Sequence, residues 1–200
     1  RPSTPDVRAF DPYLAGLALL RKPGDMSRLR ESARQFDEAI SIAPDFARAH
    51  AGSCQVGLRI YDRTRDPADM ERAEAACRRA LDLDPQLIET EKALAALYLS
   101  GGRLDAAERA YRALVARNPH DADGHIGLGR TLEALGQEAA AEASLRAAVQ
   151  AEPAYSGAFS SLGAYLLARG RMEEAVAAFR EVTELAPSSA SALPTLGAAL

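Results

Sequence analysis

Residues 85–119 read PQLIETEKALAALYLSGGRLDAAERAYRALVARNP, a segment closed by proline at both ends and interrupted once by Gly101-Gly102. Leucine and alanine recur at helical spacing on both sides of the glycine pair, which predicts one helix near Ile88–Leu99 and a second near Leu104–Ala116. Proline ends each helix because it cannot continue one, and glycine supplies the positive φ a reversal needs. The segment is therefore a helical hairpin.

Working outward, the same punctuation returns. Pro85, Pro119, Pro153 and Pro187 are 34 residues apart, and Pro44 lies 41 before Pro85, which is one period plus seven. The next hairpins run near Ala122–Leu135 and Glu138–Gln150, turning at Gly136, and near Ser156–Ala168 and Met172–Leu185, turning at Gly170. Aligned on the prolines, each first helix carries leucine and a small residue: Leu94-Ala95, Leu128-Gly129, Leu162-Gly163, Leu196-Gly197. Twelve residues past the small residue comes Ala107, Ala141 or Ala175, and four further comes Tyr111, Leu145 or Phe179. Helices approach closely only where side chains are small, and a bulky residue one turn away fills the space beyond.

This alternation at this period resembles the tetratricopeptide repeat family. The resemblance implies an all-α fold, a right-handed α–α superhelix or solenoid, with a concave groove lined by the first helices. It divides the chain into an extended lead-in, 1–9, and one array, 10–200, with repeats at 10–44, 45–85, 86–119, 120–153 and 154–187 and a partial one at 188–200. The first repeat departs by four extra residues around Lys22–Arg28, and the second by seven around Tyr61–Asp69; both additions are expected between the helices of their hairpins.

The family's groove-facing positions carry over to Arg48, Ala51, Gln55, Leu58 and Arg59 in the second repeat, and to Glu89, Lys92, Ala96, Leu99 and Ser100 in the third. In the fourth they are Asp123, Ile126, Arg130, Glu133 and Ala134, and in the fifth Gly157, Ser160, Ala164, Leu167 and Ala168. The resemblance implies a protein or peptide ligand there, held by Arg48, Arg59, Lys92 and Arg130 with an apolar side chain over Ala164 and Leu167. Some family members clamp a terminal carboxylate with lysine and asparagine. Lys92 matches the lysine, but Ala96 stands at the asparagine position, so that clamp is not expected.

Composition agrees with a binding role. The formal charge is −4, with 15 basic and 16 acidic residues in 1–100 and 9 and 12 in 101–200, so no basic field exists for nucleic acid. The longest uncharged run, Leu185 to Leu200, is too short and too rich in proline and serine to span a membrane. No signal peptide is visible, and the absence of an initial methionine reads as a piece of something longer. The unfinished last repeat, with apolar Leu193, Leu196 and Leu200, is expected to fray or to stack end-to-end on a neighbouring molecule.

Catalytic, cofactor and metal sites are not expected. His50 and His125 share one repeat position where a bulky residue normally packs, and His120 and His125 have no clustered cysteine or carboxylate companions. The glycine run 124–129 lies inside a helix, not after a strand, so it is not a phosphate loop. Arg78-Arg79 and Glu173-Glu174 read as solvated faces. Cys54 and Cys77 occupy core positions on the two helices of one hairpin. They fit either two buried thiols or a disulfide in a segment outside the cytoplasm.

The two lengthened repeats resemble the opening repeats of bacterial multidomain signalling proteins, most closely those following a serine/threonine kinase domain. That implies a sensor or partner-docking array, periplasmic if the kinase spans the membrane and otherwise cytoplasmic. Alternatives are a free-standing scaffold for a secretion or envelope complex, or the substrate-presenting repeats of a transferase such as a glycosyltransferase.

Overall fold

The computed structural model describes residues 6–21 and 25–185. Among them the chain is all-α, ten helices and no strand. It forms two compact units that divide inside one helix, between Ala110 and Tyr111. The first unit holds α1 (Phe10–Leu20), α2 (Met26–Ile42), α3 (Ala47–Thr64), α4 (Pro67–Leu83), α5 (Ile88–Ser100) and the start of α6 (Leu104–Arg117). The second holds the rest of α6, then α7 (Ala122–Ala134), α8 (Glu138–Ala151), α9 (Ser156–Ala168) and α10 (Met172–Leu185). The expected partial repeat at 188–200 lies outside the described residues, as do Lys22–Gly24 of the first addition.

The prolines do more than stop helices. Each of Pro44, Pro85, Pro119 and Pro153 is the second residue of a four-residue turn closed by a backbone bond, such as Phe46 N to Ala43 O at 3.0 Å and Tyr155 N to Glu152 O at 3.0 Å. Proline's fixed φ suits that place. Within hairpins, Gly102, Gly136 and Gly170 have φ of 72°, 74° and 71°. The following amide reaches back across the helix end, Gln137 N to Leu132 O at 2.8 Å and Arg171 N to Leu166 O at 3.0 Å.

The second addition is absorbed largely as helix. α3 and α4 have 18 and 17 residues, against 13 and 14 in α9 and α10. Arg65 ends α3 in the left-handed region at φ 54°, and Asp66 caps α4 by accepting from Ala68 N, with Pro67 at the first helical position. Asp25 caps α2 in the same manner, accepting from Arg28 N. At the start of the chain a 3-10 turn over Val7–Ala9 runs into α1, so helix begins earlier than the expected extended lead-in over 1–9 allows.

Cores form where a bulky side chain of a second helix meets a small residue of a first. A Cβ built on Gly16 would lie 2.9 Å from the Phe36 ring, one on Gly129 2.7 Å from Leu145, and one on Gly163 2.9 Å from Phe179. Phe36 also fills the space beside Gly52, and Tyr111 that beside Gly127. Burial holds the Tyr111 hydroxyl protonated, its pKa pushed up to about 12. In the hairpin α3–α4 the small and bulky positions are Cys54 and Cys77, joined as a fully buried disulfide with Cα atoms 4.8 Å apart.

Candidate functional site

In the first unit, α1, α3 and α5 lie side by side, whereas a cleft separates α2 from α4. The first helices therefore form the inner side. A pocket of about 220 Å³ opens there, lined by Tyr13 and Leu17 of α1, Arg48, Ala51, Gly52 and Gln55 of α3, and Leu87, Glu89 and Thr90 at the start of α5. Tyr13 is held from behind by Phe46 and Phe36, with ring centroids 4.9 and 6.2 Å away. The pocket thus combines an apolar wall with one amide and two opposite charges.

Arg48, Gln55 and Glu89, expected from repeat register, meet in this pocket. Lys92 is half-buried, its ammonium 3.4 Å from Glu89. Arg59 is engaged elsewhere: Nη1 donates to the Leu20 carbonyl at 2.6 Å and satisfies the end of α1. Tyr13 and Leu17 were not among the expected residues. The signal existed, since Gly16 stands at the register of Cys54 and so places Tyr13 and Leu17 at the registers of Ala51 and Gln55.

In the second unit the expected residues are largely tied into the scaffold. Asp123 accepts from the Tyr155 hydroxyl at 2.9 Å. Glu133 lies 3.2 Å from Arg169, whose guanidinium stacks over the Tyr165 ring at 4.6 Å and reaches Glu138 at 3.3 Å. Ile126 packs on Ala122, Ala148 and Ala158. Arg130, Ala164 and Leu167 are exposed, and Ser160 is half-buried.

The histidines act as struts. His50 Nε2 donates to the Pro44 carbonyl at 2.9 Å, and His125 Nε2 to that of Pro119 at 3.0 Å, each tying a first helix to the turn before it. Arg78 and Glu174, read as solvated, are paired: Arg78 bonds Glu74, and Glu174 bonds Arg171 at 2.7 Å. Hydrogen bonds from Arg171 and Arg146 hold the Glu174 carboxyl below its ordinary pKa. Among the described residues no group of His, Cys, Asp and Glu could hold a metal ion, and no helix is long and apolar enough to cross a membrane.

Residues 92–156 and 134–190 match the family model of the tetratricopeptide repeat. No curated protein matches the chain. Among solved structures it is similar to a thermophilic tetratricopeptide repeat protein of Thermus thermophilus, at 22% identity and TM-score 0.76 over 92% of this chain and 94% of that one. MamA of Desulfovibrio magneticus RS-1 is similar at 19% identity and TM-score 0.68, covering 92% and 98%. YrrB, described as a tetratricopeptide repeat protein with an unusual peptide-binding site, is similar at 16% identity and TM-score 0.57, covering 90% and 87%. At these identities the likeness is one of fold, and it extends the matched repeats over the preceding hairpins. The chain belongs to the tetratricopeptide repeat family.

Proposed function

We propose that the chain is a docking scaffold that holds an extended segment of a partner protein against the inner side of α1, α3 and α5. The pocket between Tyr13, Leu17, Arg48, Gln55 and Glu89 carries this reading. An apolar ligand side chain would lie on Tyr13 and Leu17, the Gln55 amide would meet ligand backbone, and Arg48 would take a carboxylate. In the second unit, taken by itself, Arg130, Ser160, Ala164 and Leu167 are the accessible inner positions for a further stretch of ligand.

The test is affinity for a peptide selected against the whole chain, read by fluorescence anisotropy. Arg48→Glu should weaken it by ~1 kcal/mol or more, about fivefold. Unchanged affinity in Arg48→Glu would remove Arg48 from the site.

The wider setting we infer is a sensor or partner-docking array of a larger signalling protein, kinase-linked first. The lengthened hairpins favour it, and the buried Cys54–Cys77 disulfide favours an oxidising compartment. The complete reading frame decides this: a kinase glycine-rich loop and a His-Arg-Asp segment upstream support it. A transferase domain downstream would replace it.

A further inference from the structure

Each unit also carries an outer cleft between consecutive second helices, floored by the first helix between them. In the second unit the cleft lies between α8 and α10 and is lined by Phe159, Leu162 and Leu166 of α9. Its mouth is crossed by a closed square of ion pairs. Arg171 lies 2.6 Å from Glu142 and 2.7 Å from Glu174, and Arg146 lies 2.8 Å from Glu142 and 3.0 Å from Glu174.

The cleft of the first unit, about 260 Å³ between α2 and α4, occupies the same register with other residues. Counting from the small residues Ser32 and Ala73, the four corners Glu142, Arg146, Arg171 and Glu174 become Ala33, Asp37, Asp69 and Arg72. The floor positions of Phe159, Leu162 and Leu166 become His50, Ser53 and Gly57, which are smaller or more polar. Only one side of the square survives, Arg72 to Asp69 at 2.8 Å. The Thr64 hydroxyl occupies the other Asp69 oxygen at 2.8 Å.

Asp37 is left over. Among the described residues it has no hydrogen bond and no ion pair. Asp37 stands exposed at the cleft's edge, where partial burial raises its carboxyl above the ordinary pKa against a weaker opposing pull from Arg72. Beside it the cleft exposes Ile40 and Ile60, both half-buried. The three ionic groups leave one net negative charge, where the second unit's square is neutral. The remaining polar groups facing in are His50 and Ser53, and the His50 Nε2 is committed to the Pro44 carbonyl.

We propose that this outer cleft takes a basic side chain, arginine first, from a partner protein, its aliphatic stem over Ile40 and Ile60 and its cationic head on Asp37. The ligand's cation would complete a square of reversed signs at the corner where Ala33 stands in place of Glu142. This surface is separate from the inner pocket, so one partner could engage the outer face while another segment occupies the inner one.

The test is methyl NMR of the full chain titrated with acetyl-Leu-Arg-Leu-amide. Saturable shifts are expected at the Ile40 and Ile60 methyls. Affinity should fall about tenfold or more in Asp37→Asn, and equally when citrulline replaces the peptide's arginine. Ser53→Leu, which copies Leu162, should abolish the shifts by filling the floor while leaving Asp37 in place. Absence of saturable shifts at those methyls overturns the proposal, as do shifts that persist undiminished in Asp37→Asn. Shifts confined to Leu17 and Leu87 would also overturn it, while leaving the inner pocket standing.

Discussion

Replacing Cys54 and Cys77 together by alanine should cost about 3 kcal/mol or more of stability in a denaturant titration. Closing a loop across a separation of 23 residues accounts for about 3 kcal/mol in the chain-entropy model. A packing loss adds to it. Cys54 holds the small position that Gly16, Gly129 and Gly163 hold in other hairpins, and Cys77 the bulky position of Phe36, Leu145 and Phe179. The covalent bond thus stands where three other hairpins use a large side chain laid over a glycine. Two alanines would remove the bond and leave a hole in a fully buried place. The pair Cys54→Gly with Cys77→Phe should recover part of the loss, because it restores the arrangement of the neighbouring repeats. Equal stability of the double-alanine and parent proteins under oxidising conditions would show that the bond is not formed in solution.

Gly52→Leu should be as damaging. A Cβ at Gly52 would lie 2.3 Å from the Phe36 ring, and the ring cannot retreat because Gly16 presses it on another side and it is fully buried. Overpacking of this kind costs about 1–3 kcal/mol, and leucine adds three carbons beyond the Cβ, so the upper end or more is expected. For a chain of this size that lowers Tm by about 10 °C, measurable by circular dichroism. Gly52→Ala should cost less, since alanine's helix propensity offsets part of the clash by about 1 kcal/mol. An unchanged Tm in Gly52→Leu would mean that Phe36 does not fill the space between α1 and α3.

The hairpins were legible in the sequence because their punctuation is local. Proline in a turn and glycine at positive φ act on their own backbone, so period and turn positions could be read directly. The additions in the first two repeats were legible in length but not in form. Period places the stretch from Tyr61 to Asp69 between the helices of its hairpin, yet Asp66-Pro67 is a helix-start signal that lets the extra turns join α3 and α4. Their helical continuation depends on packing: Tyr61, Met70 and Ala73 are buried with Leu97.

The candidate site divides in the same way. Register alone brings Arg48, Gln55 and Glu89 to one face, because period fixes which side of a helix a residue occupies. It does not say which charges are already spent. Arg59 bonds a carbonyl 39 residues away, and Asp123 a hydroxyl 32 residues away. Such contacts depend on side-chain reach between helices, which periodicity does not encode. The disulfide is intermediate: spacing put both cysteines in one core, and the close approach of α3 and α4 joined them.

The most direct test of the docking role places a photo-reactive residue at Gln55, inside the pocket, and in a second variant at Asp82, exposed on α4. Each is irradiated with the selected peptide. Cross-linking from position 55 and none from position 82 is the predicted result. Equal yields, or a product from position 82 alone, would contradict a ligand held between α1, α3 and α5.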